Sequence, residues 1–338
     1  MSAPVLLPAE PSNQPRWRGQ RGFYEVYFIK VNLPEQGRAL WLRYTLLAPR
    51  AGGPIAEVWG FYFDHRHPER NWSAKQSTPA IHTNWASGKL PLQLGVGNAL
   101  HHAKAEGSLT RENETLSWEL HWTPSPHAVG IFPARWSYFA PLPRTKYLSP
   151  GWDIRIDGVV SVHGETLSFS GAPGQQAHLW GAEYADEWVW AHCNAFAERD
   201  DAVFEALHAT THFAGRPVAM GMLCLRLGER FYTLRGWRAC RRMESHSVVG
   251  RWRFAGEERA FRIEGEMSVE PPHLLGARYT TPSGETRWCH NTKVGYLSLR
   301  LMTREQGEWR LVQALSTSNA CAAEWVSRKP EECVQRWV

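Results

Sequence analysis

The sequence has no long apolar run, no extended basic run and no recognisable leader. None of its hydrophobic stretches approaches the ~20 residues that a membrane-spanning helix needs. Lys and Arg are interspersed with Asp and Glu, and the net charge is only +5, so the charge pattern does not indicate nucleic-acid binding. The first segment, 1–15, is rich in proline and lacks both a charged start and an apolar stretch. We therefore expect a cytoplasmic protein without a transmembrane segment.

Cysteine is absent from the first half of the chain, and common cofactor and hydrolase motifs are also missing. The six Cys all lie in the second half without a CxxC pair, which favours reduced thiols in the core over disulfides. Gly95-Val-Gly97 lacks the third glycine of a dinucleotide fingerprint, and no Gly-x-Ser-x-Gly elbow occurs. Two histidine pairs, near residues 65 and 101, have no partners at metal-binding spacing. We expect no cofactor and no metal site.

Short stretches of alternating apolar and polar residues occur along most of the chain. In residues 116–122, Leu and Trp alternate with Ser, Glu and His, which is the period of a strand with one buried face. The same alternation recurs at 261–267 and 297–301, whereas residues 320–326 fit either a short helix or a closing strand. Antiparallel strands this numerous must close or stack to cover their edges. The expected fold class is all-β, with antiparallel barrels of lipocalin type or sandwiches.

A weak internal repeat indicates that the two halves of the chain are related by duplication. Four residue pairs match at one constant shift: Gly52 with Gly215, Pro54 with Pro217, Ala56 with Ala219 and Tyr27 with Trp190. The order of the predicted strands also matches, because 23–31, 39–47 and 55–63 correspond to 188–194, 203–213 and 218–225. A shift this large exceeds any solenoid period and indicates duplication of a whole domain.

The predicted domain boundary falls where Gly171-Ala-Pro-Gly-Gln-Gln176 interrupts the strand pattern. We therefore expect a flexible arm over 1–15, an N-terminal lipocalin-like β domain over 16–173 and a C-terminal one over 174–338. Barrels of about eight strands can hold one small ligand, and such cavities are usually lined by apolar and aromatic side chains.

The segment 178–194 combines aromatic, carboxylate, imidazole and amide side chains more densely than any other part of the sequence. If residues 188–194 form a strand, then Trp188, Trp190, His192 and Asn194 share one face. Two polar groups beside two indoles on one face are unusual for a pure core. They also fit a packed barrel in which His192 and Asn194 satisfy backbone groups.

This segment resembles the tocopherol cyclase and carotenoid hydratase superfamily, which includes lipocalin-like proteins of the AttH type and fungal Diels–Alder cyclases. Trp188-Val-Trp190 followed by Cys193-Asn194 is similar to the Trp-x-Trp…Cys-Asn strand of the cyclases, and 22–30 resembles the opening strand of the family. The chain departs from the pattern at Leu179, where the family has Asn before Trp-Gly, and at His192, where the cyclases have Gln. The resemblance implies two lipocalin-like domains with the ligand site between or within them.

The resemblance also implies chemistry on long apolar polyenes or prenyl chains. Protonation of an alkene needs an acid in a dry site and aromatic faces that stabilise the developing positive charge. A carboxylic acid buried among indoles has a raised pKa and stays protonated near neutral pH. The candidate catalytic residues are Glu25, Asp186, Glu187 and His192. The candidate substrate-binding residues are Tyr27, Trp59, Trp180, Trp188, Trp190, Asn194 and Trp288.

The leading hypothesis is a cofactor-independent cyclase- or hydratase-type enzyme that acts on an unsaturated lipophilic substrate, whether prenylated, polyene or polyketide-derived. A pericyclic reaction would need no acid, because folding the substrate is itself catalytic. The rival hypothesis is a non-catalytic, lipocalin-like carrier of a lipophilic molecule, which needs the tryptophans but not the carboxylates. Asp186 and Glu187 also fit a solvated turn, and Glu25 fits an ion pair with an arginine across the barrel.

Overall fold

The chain folds into two antiparallel sheets, which confirms the all-β class expected from the sequence. The computed structural model describes residues 3–213, 215–334 and 336–338. The first sheet contains β1 (Val5–Pro8), β2 (Phe23–Leu33), β3 (Arg38–Ala48), β4 (Ile55–Asp64), β5 (Trp72–Pro79), β6 (Leu92–Gln93), β7 (Ala99–Leu100), β8 (Lys104–Arg111), β9 (Glu114–Trp122), β10 (His127–Gly130), β11 (Thr145–Val162) and β12 (Glu165–Gly181).

The second sheet begins with the tryptophan-rich segment. It contains β13 (Glu187–Cys193), β14 (Ala202–Phe213), β15 (Arg216–Leu227), β16 (Arg230–Thr233), β17 (Glu244–Val248), β18 (Arg251–Glu257), β19 (Phe261–Ser268), β20 (Leu275–Thr280), β21 (Thr286–Glu305) and β22 (Glu308–Ser327). The α-helices within the described residues are α1 (Ala9–Ser12) and α2 (Trp237–Arg242), and short 3-10 helices span Pro34–Gln36, Pro68–Arg70, Ala80–His82, Trp85–Ser87, Arg135–Tyr138 and Pro271–His273. Neither α-helix is long enough to cross a bilayer.

The two sheets share one topology, as duplication of a whole domain predicts. The first runs β5-β4-β3-β2-β12-β11-β9-β8-β7-β6 and the second β16-β15-β14-β13-β22-β21-β19-β18-β17, so the orders correspond strand by strand except for the additional β6 at the end of the first. In each sheet the first long strand pairs with the last one, so the start and the end of each half lie side by side. Gly52 and Gly215 occupy equivalent hairpins, after β3 and after β14, and both have a positive φ, 97° and 76°. These glycines provide the left-handed turn that side chains disfavour.

One anchor of the predicted repeat is wrong. Tyr27 points into the core of the first sheet, whereas Trp190 lies in the layer between the two sheets. Successive residues of a strand face opposite sides, so the two residues cannot be equivalent positions of the duplicated strands. Phe28 is the residue of β2 that shares the inter-sheet layer with Trp190, and their rings meet edge to face at 5.6 Å.

The predicted division at 173/174 cuts through β12, which continues to Gly181 and pairs with β2 along 174–181. The change of sheet comes between Gly181 and Glu187. Gly171 has a φ of 68°, and the pairing of β11 with β12 shifts register beside it. The glycine-rich stretch is therefore an irregularity inside a strand and does not end it.

The predicted flexible arm is also wrong for the part that the structure describes, which begins at residue 3. Val5 and Leu7 alternate inward from β1, which pairs with β10, and Ser12 and Asn13 are buried. The apolar alternation in this short segment provides the burial that orders it.

Three cores account for the packing. One lies within the first sheet and is formed by side chains of β2–β9, β11 and β12. A second lies within the second sheet. The third lies between the sheets and is rich in aromatic residues, including Phe28, Trp41, Trp59, Tyr147 and Trp190. All six cysteines are free and five of them are buried, in agreement with the expected thiols.

Candidate active site between the sheets

The two faces of β13 serve different cores. Val189, Ala191 and Cys193 pack inside the second sheet, whereas Trp190 packs between the sheets with Trp188 against the same layer. The alternating residues that follow Trp190, His192 and Asn194, are buried and contact residues of the first sheet. The predicted shared face is therefore confirmed, and it faces the partner sheet rather than the interior of its own.

Glu205 of β14 is the carboxyl group best placed for acid chemistry, and the sequence analysis missed it. The side chain is completely buried between the sheets. Its Oε1 accepts hydrogen bonds from the Tyr147 hydroxyl, from Trp190 Nε1 at 2.9 Å and from Gln175 Nε2 at 3.0 Å. Its Oε2 is buried and accepts no hydrogen bond of normal geometry, although the Trp152 indole is close enough to lower the pKa of the acid.

Burial raises the pKa of Glu205 above its ordinary value, and the hydrogen bonds from Tyr147, Trp190 and Gln175 offset only part of that rise. Burial likewise raises the pKa of Tyr147 well above its ordinary value, so the phenol keeps its proton. Because three donors converge on Oε1, the proton of the neutral acid belongs on Oε2. The geometry therefore leaves a buried O–H without a strong acceptor, which is the state that a general acid requires.

His192 is a neutral imidazole directly opposite this acid. The register of β13 and β14 pairs His192 with Glu205. His192 Nε2 lies 2.9 Å from the carbonyl oxygen of Trp152, and a carbonyl only accepts, so Nε2 carries the hydrogen and Nδ1 is an unprotonated acceptor. Nδ1 is buried and accepts no hydrogen bond. Burial, with a contribution from the Lys30 charge, lowers the pKa of His192 well below its ordinary value, so the ring stays neutral and its Nδ1 remains a hydrogen-bond acceptor.

Asn194 belongs to a buried polar network beside this pair. Its Oδ1 accepts a hydrogen bond from Lys30 Nζ at 3.3 Å, and its Nδ2 donates to Asp153 Oδ1 and to the Gly174 carbonyl, both at 2.9 Å. Lys30 Nζ also donates to Asn32 Oδ1 at 2.7 Å, and burial lowers the pKa of Lys30 to about 8. The Asn194 amide is thus committed to links between the two halves, which leaves little of it for a substrate.

Aromatic side chains near the edge of the inter-sheet layer form a stack that includes two predicted binding residues. Tyr184 stacks on Tyr24 at 3.8 Å and lies 6.0 Å from Trp188, which in turn is 6.4 Å from Tyr279. Trp59 meets Tyr279 edge to face at 6.1 Å. Tyr184 and Trp188 are half-buried, so the stack continues from the buried layer toward solvent. This arrangement fits the recognition of a flat or extended unsaturated molecule.

The predicted acid Glu25 is buried but has no capacity left for proton transfer. Its two oxygens accept hydrogen bonds from the backbone amides of Arg16 (2.6 Å) and Trp17 (3.1 Å) and from Trp85 Nε1 (2.8 Å), and its Oε1 lies 2.8 Å from His178 Nε2. These four groups take the place of the expected partner, an arginine side chain across the barrel. A carboxyl group with this many hydrogen-bond partners serves structure, because none of its oxygens is free to meet a substrate.

Asp186 and Glu187 are also unsuited to act as acids. Asp186 lies in the turn before β13 and accepts hydrogen bonds from Arg328, Arg287 and His212. Partial burial raises its pKa, but the hydrogen bonds from Arg328 and His212 outweigh that effect and lower the pKa to about 2. Glu187 is exposed. The solvated-turn interpretation is therefore the better one for both residues.

Three further predicted binding residues lie away from Glu205. Tyr27 stacks on His178 at 4.1 Å and donates its hydroxyl hydrogen to the Asn13 carbonyl. Trp180 is half-buried beside His178, with the Arg16 guanidinium 5.1 Å from its ring. Trp288 packs edge to face on Trp337 near the end of the chain. Trp180 packs against the inter-sheet core, whereas Tyr27 belongs to the core of the first sheet and Trp288 to neither.

An open cleft of about 240 Å³ elsewhere on the first sheet contains none of the predicted residues; it is lined by Glu35, Gln36, Arg38, Asp64, Arg66 and His67. The inter-sheet aromatic residues contact one another instead of lining this cleft. A substrate that reaches Glu205 must therefore part these contacts.

The fold and the buried acid–base pair define a two-sheet β protein with a polar site enclosed between its halves. Residues 97–326 match the model of the tocopherol cyclase-like family, and the chain belongs to that family. The match contains Tyr147, Gln175, Trp190, His192 and Glu205, all of which lie in the middle third of the chain. The suspected relationship is thereby confirmed.

Two curated relatives share 25% identity with this chain over 302 residues, which cover 85% of it and 84% of each relative. They are the uncharacterized proteins MT0513 and Rv0493c of Mycobacterium tuberculosis.

Solved structures of low sequence identity have the same fold. Kievitone hydratase from Nectria haematococca aligns with a TM-score of 0.57 at 10% identity, over 97% of this chain and 96% of that one. An AttH-like protein of Nitrosomonas europaea gives 0.56 at 10% identity, over 90% and 92%. CghA gives 0.54 at 9% identity, over 98% and 96%. At such identities the similarity establishes the lipocalin-like two-domain fold alone.

Proposed function

We propose that this protein is a cofactor-independent enzyme of the cyclase or hydratase type, acting on an unsaturated lipophilic substrate between its two sheets. The observation that carries the proposal is Glu205, a completely buried carboxylic acid with a raised pKa, a free Oε2 and an indole beside it. Membership of the tocopherol cyclase-like family and the fold shared with a hydratase support the same class of reaction. The substrate is prenylated, polyene or polyketide-derived.

In the proposed reaction, the Oε2–H of Glu205 protonates one carbon of a carbon–carbon double bond. The C–H bond forms from the π electrons, the O–H bond breaks, and a cation remains on the neighbouring carbon. The Trp190 face stabilises that cation. Either a second π bond of the substrate attacks it and closes a ring, or water attacks it and gives an alcohol.

The proton released after ring closure or water attack has two acceptors in the site, the Glu205 carboxylate and His192 Nδ1. Return of a proton to Glu205 restores the acid, so the cycle needs no external oxidant or reductant. Burial raises the pKa of Glu205 and lowers the pKa of His192, so it favours the neutral form of both groups, the first with a proton to donate and the second with a free lone pair. The roles of Trp188 and Trp59 in this proposal are to hold the apolar part of the substrate.

The test is turnover of a panel of prenyl-quinol and polyene substrates by wild-type protein and by Glu205→Gln, with products analysed by mass spectrometry in H₂O and D₂O. We expect Glu205→Gln to lower kcat by about 10²- to 10⁴-fold, the usual contribution of a general acid. The exposed Glu187→Gln serves as the matched control and should retain full activity. Unchanged turnover in Glu205→Gln would refute the acid role, and a product without deuterium from D₂O would indicate a pericyclic reaction instead.

Carriage of a lipophilic molecule is the second candidate function, and the half-buried stack of Tyr184, Trp188 and Tyr279 favours it because the stack needs no acid. Organic extraction of freshly purified protein, with mass spectrometry of the released small molecules, tests this function. A compound that is present with wild-type protein, absent with Trp190→Ala plus His192→Ala, and chemically unchanged after long incubation would support the carrier. Conversion of the bound compound would support the enzyme.

A further inference from the structure

Two segments near the inter-sheet site expose large apolar side chains side by side. One is the loop between β10 and β11, in which Trp136, Phe139 and Leu142 are 55%, 74% and 54% exposed. The other is α2 of the second sheet, whose first residue, Trp237, is 43% exposed. The rings of Trp136 and Trp237 stack at 6.0 Å and join the two segments into one surface. Exposed aromatic groups of this density commonly mark a binding surface.

The same two segments carry a concentrated positive charge. Six arginines are exposed within them, and none forms an ion pair with an acidic side chain of the described chain; they are Arg135, Arg144, Arg235, Arg238, Arg241 and Arg242. We call these arginines and the four apolar residues the aromatic–arginine face. Elsewhere on the protein, exposed arginines such as Arg251 and Arg253 are paired with Glu266. The six arginines of the aromatic–arginine face are therefore available to an anionic partner.

The inner side of the same loop belongs to the candidate active site. Phe132 and Tyr138 pack in the inter-sheet core, and Tyr138 lies close enough to Glu205 for the carboxyl charge to affect its pKa, which burial raises. The Tyr138 hydroxyl oxygen accepts a hydrogen bond from the backbone N–H of Phe132, in the same loop, at 3.1 Å. Residues a few positions apart thus reach the buried site on one side and project apolar rings into solvent on the other.

We propose that the aromatic–arginine face docks on an anionic lipid surface, from which a lipophilic molecule passes along the 131–144 loop to the inter-sheet site. Aromatic residues beside arginines suit the interface of a membrane, where rings enter the headgroup region and cations meet anionic lipids. Phe139 and Leu142 offer hydrocarbon without hydrogen-bonding groups, which favours lipid over nucleic acid. The nature of the passing molecule rests on the proposed function, whereas the docking itself does not.

The experiment is cosedimentation of the full-length protein with vesicles of phosphatidylcholine, with and without phosphatidylglycerol, at low and high salt. We expect binding to the phosphatidylglycerol vesicles that weakens as salt rises, because exposed charges are screened. Arg241→Glu with Arg242→Glu should lower the partition coefficient about 25-fold or more, since each basic residue contributes about fivefold. Phe139→Ser with Trp237→Ser should weaken binding at every salt concentration.

Matched controls change similar residues on other surfaces. Ile81→Ser with Val96→Ser alters two apolar residues that are 85% and 96% exposed, and Arg21→Glu with Arg216→Glu reverses two exposed charges. Both controls should bind vesicles like the wild type, and near-ultraviolet circular dichroism establishes that every variant is folded. Glu205→Gln should also bind vesicles normally, which separates docking from catalysis.

Three outcomes would overturn the docking proposal. The first is the absence of wild-type binding to the phosphatidylglycerol vesicles. The second is equal binding by the folded face variants and the controls. The third is that Phe139→Ser with Trp237→Ser leaves vesicle binding unchanged and that a DNA duplex binds the protein as tightly as the vesicles do at the same salt concentration. That result would identify a general polyanion site.

Discussion

Tyr147→Phe should destabilise the protein by an amount that grows with pH, because the deleted hydroxyl serves a titrating acid. The Tyr147 hydroxyl donates to Glu205 Oε1 and lies 3.3 Å from Ser149 Oγ and 3.2 Å from Gln175 Nε2. A hydrogen bond to a neutral group contributes about 1 kcal/mol, and one to a charged group about 1.5–3 kcal/mol. We therefore expect a loss of about 1 kcal/mol where Glu205 is neutral and about 2 kcal/mol or more where it is ionised.

The sign follows from linkage. Burial raises the folded-state pKa of Glu205, and the Tyr147 hydrogen bond opposes that rise, so Tyr147→Phe raises the pKa further. Stability due to a group with a raised pKa is complete below the unfolded-state pKa and is lost as the pH increases toward the folded-state pKa. Wild type and variant begin to lose this stability together as the pH rises above about 4.5, the ordinary value for Glu, and the variant loses more once the pH passes the folded-state pKa of Glu205 in the wild type.

Urea unfolding at about pH 5 and about pH 8 measures the difference directly. Tyr24→Phe is the matched control, because Tyr24 is equally buried but donates to a neutral partner, Thr145 Oγ1, at 2.7 Å. Its cost should not depend on pH in this range. An equal cost of Tyr147→Phe at both pH values, or the same pH dependence in Tyr24→Phe, would refute the assignment of Glu205 as a buried acid that ionises between these two pH values.

Three further predictions test other parts of the structure. Glu25→Gln should lower the free energy of unfolding by about 3 kcal/mol, because it places an amide N–H against groups that converge on a carboxylate. Urea unfolding measures this loss, with the exposed Glu10→Gln as the control. A loss no larger than that of the control would contradict the prediction. Asp186→Asn should lower the free energy of unfolding by about 2 kcal/mol at neutral pH. This difference from the wild type should disappear as the pH falls from 3.8, the ordinary pKa of Asp, through about 2, its pKa in the folded protein. Unfolding curves of the two proteins that stay separated below that pH would contradict the prediction. Native protein should react rapidly with a thiol reagent at Cys333 alone, and denatured protein should react at all six cysteines. Rapid reaction of further cysteines in the native protein would show that the buried cores open readily.

The sequence predicted the all-β class and the duplication because both depend on local pattern. Alternation along 116–122 reappears as β9, and the residues that alternate inward, Leu116, Trp118, Leu120 and Trp122, are all buried. The shared face of β13 was predictable for the same reason. The identity of the layer that this face meets was not, because a strand pattern distinguishes two faces without showing which core each one joins.

The surroundings of the candidate acid Glu25 could not be predicted, because contacts between distant parts of the chain determine its hydrogen bonding. Glu25 belongs to the motif of the opening strand, but the segment around Arg16 and Trp17 folds back and delivers two backbone amides to its carboxylate. Nothing in the local pattern shows that encounter. The boundary at 173/174 was misplaced for a related reason, since a glycine suited to a turn can equally form an irregularity within a strand.

A signal for Glu205 was nevertheless present in the sequence. In β14, Val203 and Leu207 flank it on one face, and Ala202, Phe204 and Ala206 occupy the other. A strand that is apolar on both faces is buried on both, so a single carboxylate at its centre cannot reach water. Such an isolated charge is a stronger indication of chemistry than carboxylates near a turn, where Asp186 and Glu187 lie.

The polar groups between the sheets are best explained by function, because stability alone would favour their replacement. Each sheet already has its own core, and the inter-sheet layer could be filled by apolar side chains at no desolvation cost. Instead Tyr147 and Gln175 of the first sheet meet Trp190, His192 and Glu205 of the second, so the acid and its donors exist as a unit only when the two halves are docked. The apolar faces of the two sheets enclose a dry volume in which burial raises the pKa of Glu205 and so favours its protonated form. A protein that uses this volume must admit its substrate there, which is why the exposed loop that reaches both Glu205 and the surface is the part of the fold that we expect to control access.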